Sequence, residues 1–98
     1  MSDAELVVRE IQDITPPKEC KVIYVNDNVT SFEFVSESLV QYFNYEMKDA
    51  ENRAVEIHDK GSSVVAILPF EIAEQRGVEV LVAARHQGYP LEIKLEQE

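Results

Sequence analysis

Apolar residues along the chain recur at two spacings, and the changes of spacing divide it into elements. Cys20-Lys21-Val22-Ile23-Tyr24-Val25 is rich in β-branched and aromatic types and predicts a strand. Phe32, Val35, Leu39, Tyr42 and Phe43 then repeat at three and four, giving one helix face that stops near Asn44. At its start Thr30 and Glu33 have capping-box spacing. The Thr30 hydroxyl is expected to accept from the amide of residue 33 while Glu33 reaches back to the cap. Met47, Ala50, Ala54 and Ile57 continue the spacing in a second helix, whose outer face is charged and whose stop is Lys60-Gly61. The run Val64-Val65-Ala66-Ile67-Leu68 suits a strand buried on both faces and ended by Pro69. Phe70, Ala73, Gly77, Leu81 and Ala84, with Val80 beside them, line a third helix that Gly88 stops. Gly77 costs that helix about 1 kcal/mol relative to Ala, so a close packing contact is expected there. Leu91 to Leu95 alternates as a half-exposed strand does.

The order is β-α-α-β-α-β. Three strands cannot close into a barrel, so helices must cover a face of the sheet. The predicted fold is an α+β two-layer sandwich of a three-stranded antiparallel sheet and three helices. Residues 1–19, where Thr15-Pro16-Pro17 stops any helix, read as a flexible N-terminal arm. Residues 20–98 read as the domain.

Composition narrows the partners. The chain has 98 residues, enough for one core, and a net charge of −10 from 19 acids and nine bases. That balance argues against phosphate backbones, which need clustered Lys and Arg, and favours cationic or neutral partners. No nucleic acid partner is expected. A single cysteine excludes an intramolecular disulfide and a multi-cysteine zinc site, and fits a reducing compartment. No apolar run approaches the roughly 18 residues of a membrane span, and Met-Ser-Asp-Ala-Glu lacks a signal-like core. A soluble cytoplasmic monomer without cofactor or metal is the expectation. Enzyme chemistry finds little support. Cys20 has no histidine near it in sequence, and the glycines at 61, 77 and 88 are too scattered for a phosphate loop.

Two places remain for chemistry. Asn26-Asp27-Asn28 follows the first strand; these are ordinary turn formers, and equally acceptors that could hold a cation beside an apolar wall. His58 falls at the border of the second helix's buried face, near its C-terminus. A half-buried ring covering the core accounts for it, and a functional role stands beside that reading. His86 reads as a surface residue at a favourable dipole end.

The motifs around these residues resemble the ClpS family, adaptors that deliver N-degron substrates to Clp AAA+ proteases. The family's Asn-Asp-Asp-aromatic-Thr-Pro-Met-Glu-Phe-Val is similar to Asn26-Asp27-Asn28-Val29-Thr30-Ser31-Phe32-Glu33-Phe34-Val35. A helix ending in His shortly before Gly is matched by His58 and Gly61. Glu-Val-Ala-Glu-x-Lys is matched by Glu71-Ile72-Ala73-Glu74-Gln75-Arg76, and the C-terminal pattern by Tyr89-Pro90-Leu91 with Leu95-Glu96. Pro16-Pro17 repeats the double proline before the first strand.

The resemblance implies a non-enzymatic adaptor that binds a free α-amino group and a bulky hydrophobic N-terminal side chain together. Asn26 and His58 match the family's principal amine ligands; the acidic pair after the Asn, here Asp27 and Asn28, adds negative potential and water-mediated contacts. The implied apolar pocket is Thr30, Phe32, Val35, Ala54, Ile57 and Leu91. Glu71 and Arg76 match a surface that contacts the N-terminal domain of a Clp AAA+ unfoldase. The chain departs from the pattern at several positions. Asn28 replaces an Asp, Phe32 a gating Met, and Ala54 a frequent Met, while Val29 and Ser31 stand for an aromatic and a Pro. A second reading is therefore a divergent ClpS-like domain that docks on an AAA+ or ribosomal partner without binding N-degrons.

Overall fold

The computed structural model describes residues 18–98, so all but Lys18 and Glu19 of the predicted arm lies outside the described residues. Strand β1 (Glu19–Val25) starts one residue earlier than the pattern predicts and forms the middle of the sheet. Its alternation is sharp: Cys20, Val22 and Tyr24 are fully buried, whereas Lys21, Ile23 and Val25 are only partly covered. Such a difference between faces means that one side of the sheet is packed and the other open. Strand β2 (Ser62–Pro69) and strand β3 (Glu92–Gln97) flank β1, both antiparallel to it.

Helices α1 (Phe32–Phe43), α2 (Met47–Lys60) and α3 (Phe70–His86) contribute to a single core with the buried face of β1. Phe34, Val35 and Leu39 come from α1, Ala50, Ala54 and Ile57 from α2, and Ala73, Val80 and Ala84 from α3. The architecture is the two-layer α+β sandwich in the order β-α-α-β-α-β. One polar chain of bonds runs through this core. The Ser38 hydroxyl donates to Val35 O at 2.7 Å, so the Tyr24 hydroxyl, 2.8 Å away, donates to Ser38. Burial pushes the Tyr24 phenol well above its ordinary value, and it stays a donor at any physiological pH.

Four local expectations are corrected. Ser31, not Thr30, caps α1: its Oγ accepts from the Phe34 amide at 3.0 Å, and the helix starts at Phe32. Phe32 is thereby the first helical residue and is 41% exposed instead of joining the core. Strand β2 is not buried on both faces. It is a sheet edge with Val65 alone buried, and Ile67 is half exposed. Gly77 lies 3.9 Å, at its would-be Cβ, from Ile93 Cγ2, an ordinary contact and not a close one.

The β2 edge carries a bulge that the apolar run concealed. Val22 pairs with Ala66 but Ile23 pairs with Val64, leaving Val65 as the extra residue. Two side chains take up the carbonyls there. The Tyr45 hydroxyl donates to Val65 O at 2.5 Å, and Arg53 donates to Val64 O at 3.0 Å. Arg53 also bonds Glu56 at 2.9 Å and Ser63 Oγ at 3.0 Å, so α2 is fastened along the sheet edge.

Candidate functional site

Strand β1 ends at Val25, and its last residue pairs with Ser62, the first of β2. Between α2 and β2 there is only Gly61, whose φ of +88° makes the turn and whose amide closes α2 on Ile57 O at 2.9 Å. The Asn26 amide donates to Gly61 O at 2.9 Å. That bond ties the exit of β1 to the end of α2, and so brings the loop 26–30 beside His58, 28 to 32 residues further along the chain. Sequence reasoning took Gly61 only as a helix stop. Its second task had a signal, since a one-residue connection between helix and strand leaves the last helical turn against the strand's neighbour.

Asn26, Asp27, Asn28, Thr30, Phe32, Val35, Ala54, Ile57 and His58 line one cavity of about 390 Å³. Its size falls in the range of small-ligand sites, ~300–1,000 Å³. Nine of the predicted amine-site and pocket residues are thus brought together. Leu91 is not among them; it is 1% exposed and packs in the core. The cavity has two halves. Phe32, Val35, Ala54 and Ile57 form an apolar wall, and the loop side chains with His58 form a polar rim. His58 is exposed, so the half-buried ring expected from its helix position is not what is found. The C-terminal end of α2 adds negative potential next to it, favourable to a cation.

Asp27 holds the loop. Its Oδ1 accepts from the Val29 amide at 2.8 Å and the Thr30 amide at 2.6 Å, and its Oδ2 accepts from the Thr30 hydroxyl at 2.7 Å. Partial burial works against its charge. The bonds from Thr30 and Val29, with attraction from Arg85, outweigh that and hold the carboxyl below its ordinary value.

A larger hollow of about 680 Å³ lies between the α1–α2 turn and the side of α2 that carries Asp49, Asn52, Arg53 and Glu56. Among the described residues its one cation, Arg53, is already committed to Glu56, Ser63 and Val64, and the remaining rim is mostly carboxylate and amide. Among the described residues no group of three His, Cys, Asp or Glu could hold a metal ion. No described helix is long and apolar enough to cross a membrane. Glu71 is exposed in the first turn of α3, next to Phe70 and Ile72, while Arg76 pairs with Glu79 at 3.1 Å. Five residues apart on a helix, Glu71 and Arg76 stand about 140° from one another and do not share one face.

A sandwich of this topology recurs among solved structures. The structure of Agrobacterium tumefaciens ClpS2 bound to L-phenylalaninamide superposes with a TM-score of 0.81 at 31% identity, covering 85% of this chain and all of that one. The family model described as "ATP-dependent Clp protease adaptor protein ClpS" matches residues 15–94. Among curated proteins, the Clp protease adapter ClpS of Campylobacter jejuni is 38% identical over 85 residues, 87% of this chain and 88% of that protein. The ClpS of Wolinella succinogenes is 32% identical over 96 residues, 98% and 94% of the two chains. The chain belongs to the ClpS family of Clp protease adaptor proteins, and these relatives are named as adapters and not as enzymes.

Proposed function

We propose that this adaptor captures proteins by their first residue, binding a free α-ammonium at the rim and a bulky hydrophobic side chain in the hole, and passes them to a Clp AAA+ unfoldase. The observation that carries this reading is the shared cavity: Asn26, Asn28 and His58, each of which has an acceptor, line the same space as Phe32, Val35, Ala54 and Ile57. An α-ammonium has three donors and no acceptor, so only acceptors serve it. Each charge-assisted bond contributes roughly 1.5–3 kcal/mol. Burying one Leu or Phe side chain contributes about as much again, roughly 1.5–3 kcal/mol. Neither half suffices alone, which makes the first residue of a chain, and no internal one, the ligand. The similar ClpS2 holds phenylalaninamide, a ligand with these same two features.

Glu71 and Arg76 are our candidates for contact with the unfoldase's N-terminal domain; with their side chains on different faces of α3, such a contact would wrap the helix. The reading of a ClpS-like domain that has lost degron binding is less well supported, because the departing residues Asn28 and Phe32 still border the same cavity as the rest. Fluorescence anisotropy with peptides differing only at residue one tests the proposal. Peptides beginning with Phe, Tyr, Trp or Leu are expected to bind, and their N-acetylated forms to lose affinity by at least about two orders of magnitude. Equal affinity for free and acetylated peptides would overturn it.

A further inference from the structure

The loop that forms the rim contains one formal negative charge, and its geometry is unlike that of a ligand. Among the described residues every side-chain hydrogen bond of the loop 26–30 goes to Asp27. Both of its oxygens are engaged: two amides on Oδ1, one hydroxyl on Oδ2. A carboxylate has about four acceptor sites, so at most about one remains. The bonds are short and local, and they fix the backbone from Asp27 to Thr30. Asn28, the residue between, is exposed at the cavity rim with none of these bonds. Thr30 borders the apolar half, so the same three bonds also set the join between the rim and the wall of the hole.

We propose that Asp27 is a positioning residue for the amine site, and that the atoms meeting the ammonium are the neutral acceptors of Asn26, Asn28 and His58. This rests on the N-terminal recognition proposed above. Recognition then depends on the shape of the loop more than on a free carboxylate. Two consequences follow. Affinity for a peptide N-terminus then depends on ionic strength mainly through the chain's net charge of −10, whose general attraction salt screens. An acid placed at residue 28 restores an unoccupied carboxylate to the rim and makes that dependence steeper.

The experiment compares the full chain with its Asp27→Asn, Asp27→Ala and Asn28→Asp variants, using a Phe-initiated peptide and its acetylated form at several salt concentrations. Amide hydrogen exchange of Val29 and Thr30 is followed in the ligand-free proteins. Asparagine keeps an Oδ1 for the two amides and can donate to the Thr30 oxygen, so Asp27→Asn is expected to keep the amides protected and to weaken binding by only about 3-fold. Asp27→Ala should release the amides and weaken binding about 30-fold, the effect of one unsatisfied set of bonds. Asn28→Asp should bind more tightly at low salt and lose that advantage at high salt. If Asp27→Asn binds as poorly as Asp27→Ala while its amides stay protected, Asp27 acts on the ligand through its charge and the proposal is overturned. Should wild type fail to distinguish free from acetylated peptide, the recognition itself is at fault, which is a separate outcome.

Discussion

His58 and Tyr24 show how differently single side chains depend on their surroundings. His58 is exposed on the last turn of α2 and lines the cavity. Removing it should therefore cost the fold little and the ligand much. His58→Ala is expected to melt within about 0.5 kcal/mol of wild type, as surface substitutions do. Its affinity for a Phe-initiated peptide should fall by at least about 10-fold, the effect of one charge-assisted bond. Paired thermal melts and anisotropy titrations check both; a variant that binds normally would remove His58 from the site. Tyr24 is the opposite case, buried with a hydroxyl that donates to Ser38. Tyr24→Phe keeps the ring and deletes the donor, leaving a buried Ser38 oxygen with one bond fewer. A loss of about 1 kcal/mol is expected in urea unfolding, with peptide affinity unchanged.

At the scale of elements, the spacing of apolar residues located every strand and helix, because each element buries one face and the period of burial is written in its residues. It could not say which strand sits in the middle. Val64 to Leu68 is as apolar as a central strand, yet β2 is an edge, and its bulge is sealed by Tyr45 and Arg53 from elsewhere in the chain. That pairing is tertiary, so no local pattern records it. Tyr45→Phe should leave Val65 O unpartnered and cost about 1–2 kcal/mol, with faster amide exchange along β2. The cap of α1 failed for a smaller reason: Thr30 and Ser31 are neighbours with the same capping chemistry, and Asp27 claims the Thr30 hydroxyl first. Nine of the amine-site and pocket residues named through motif resemblance line one cavity; Leu91, the tenth, fills the core, which its place in the chain could not reveal. For Gly77 the expected close contact is absent. A methyl there meets Ile93 at ordinary van der Waals distance. Gly77→Ala should therefore stabilise the protein, by up to about 1 kcal/mol in a denaturant titration, since helix propensity is gained without a clash.

For the whole molecule, the response of folding to pH follows from two carboxylates and from the net charge of −10. Asp27 and Glu56 both have carboxyls held below their ordinary values. In Asp27 the bonds from Thr30 and Val29 overcome partial burial; in Glu56 bonds from Ser63 and Lys60 lead. A folded value lower than the unfolded one gives stabilisation that is complete above the ordinary carboxylate range, about pH 4, and is lost as the pH falls through the lowered values. Meanwhile a chain of net charge −10 sheds self-repulsion as it is acidified from neutrality. Stability should accordingly hold or rise slightly from about pH 7 to 5 and decline only below about pH 4. Circular-dichroism melts over this range check the sign of both effects. A melting temperature that fell steadily between about pH 7 and 5 would show that relief of self-repulsion is not what governs stability there.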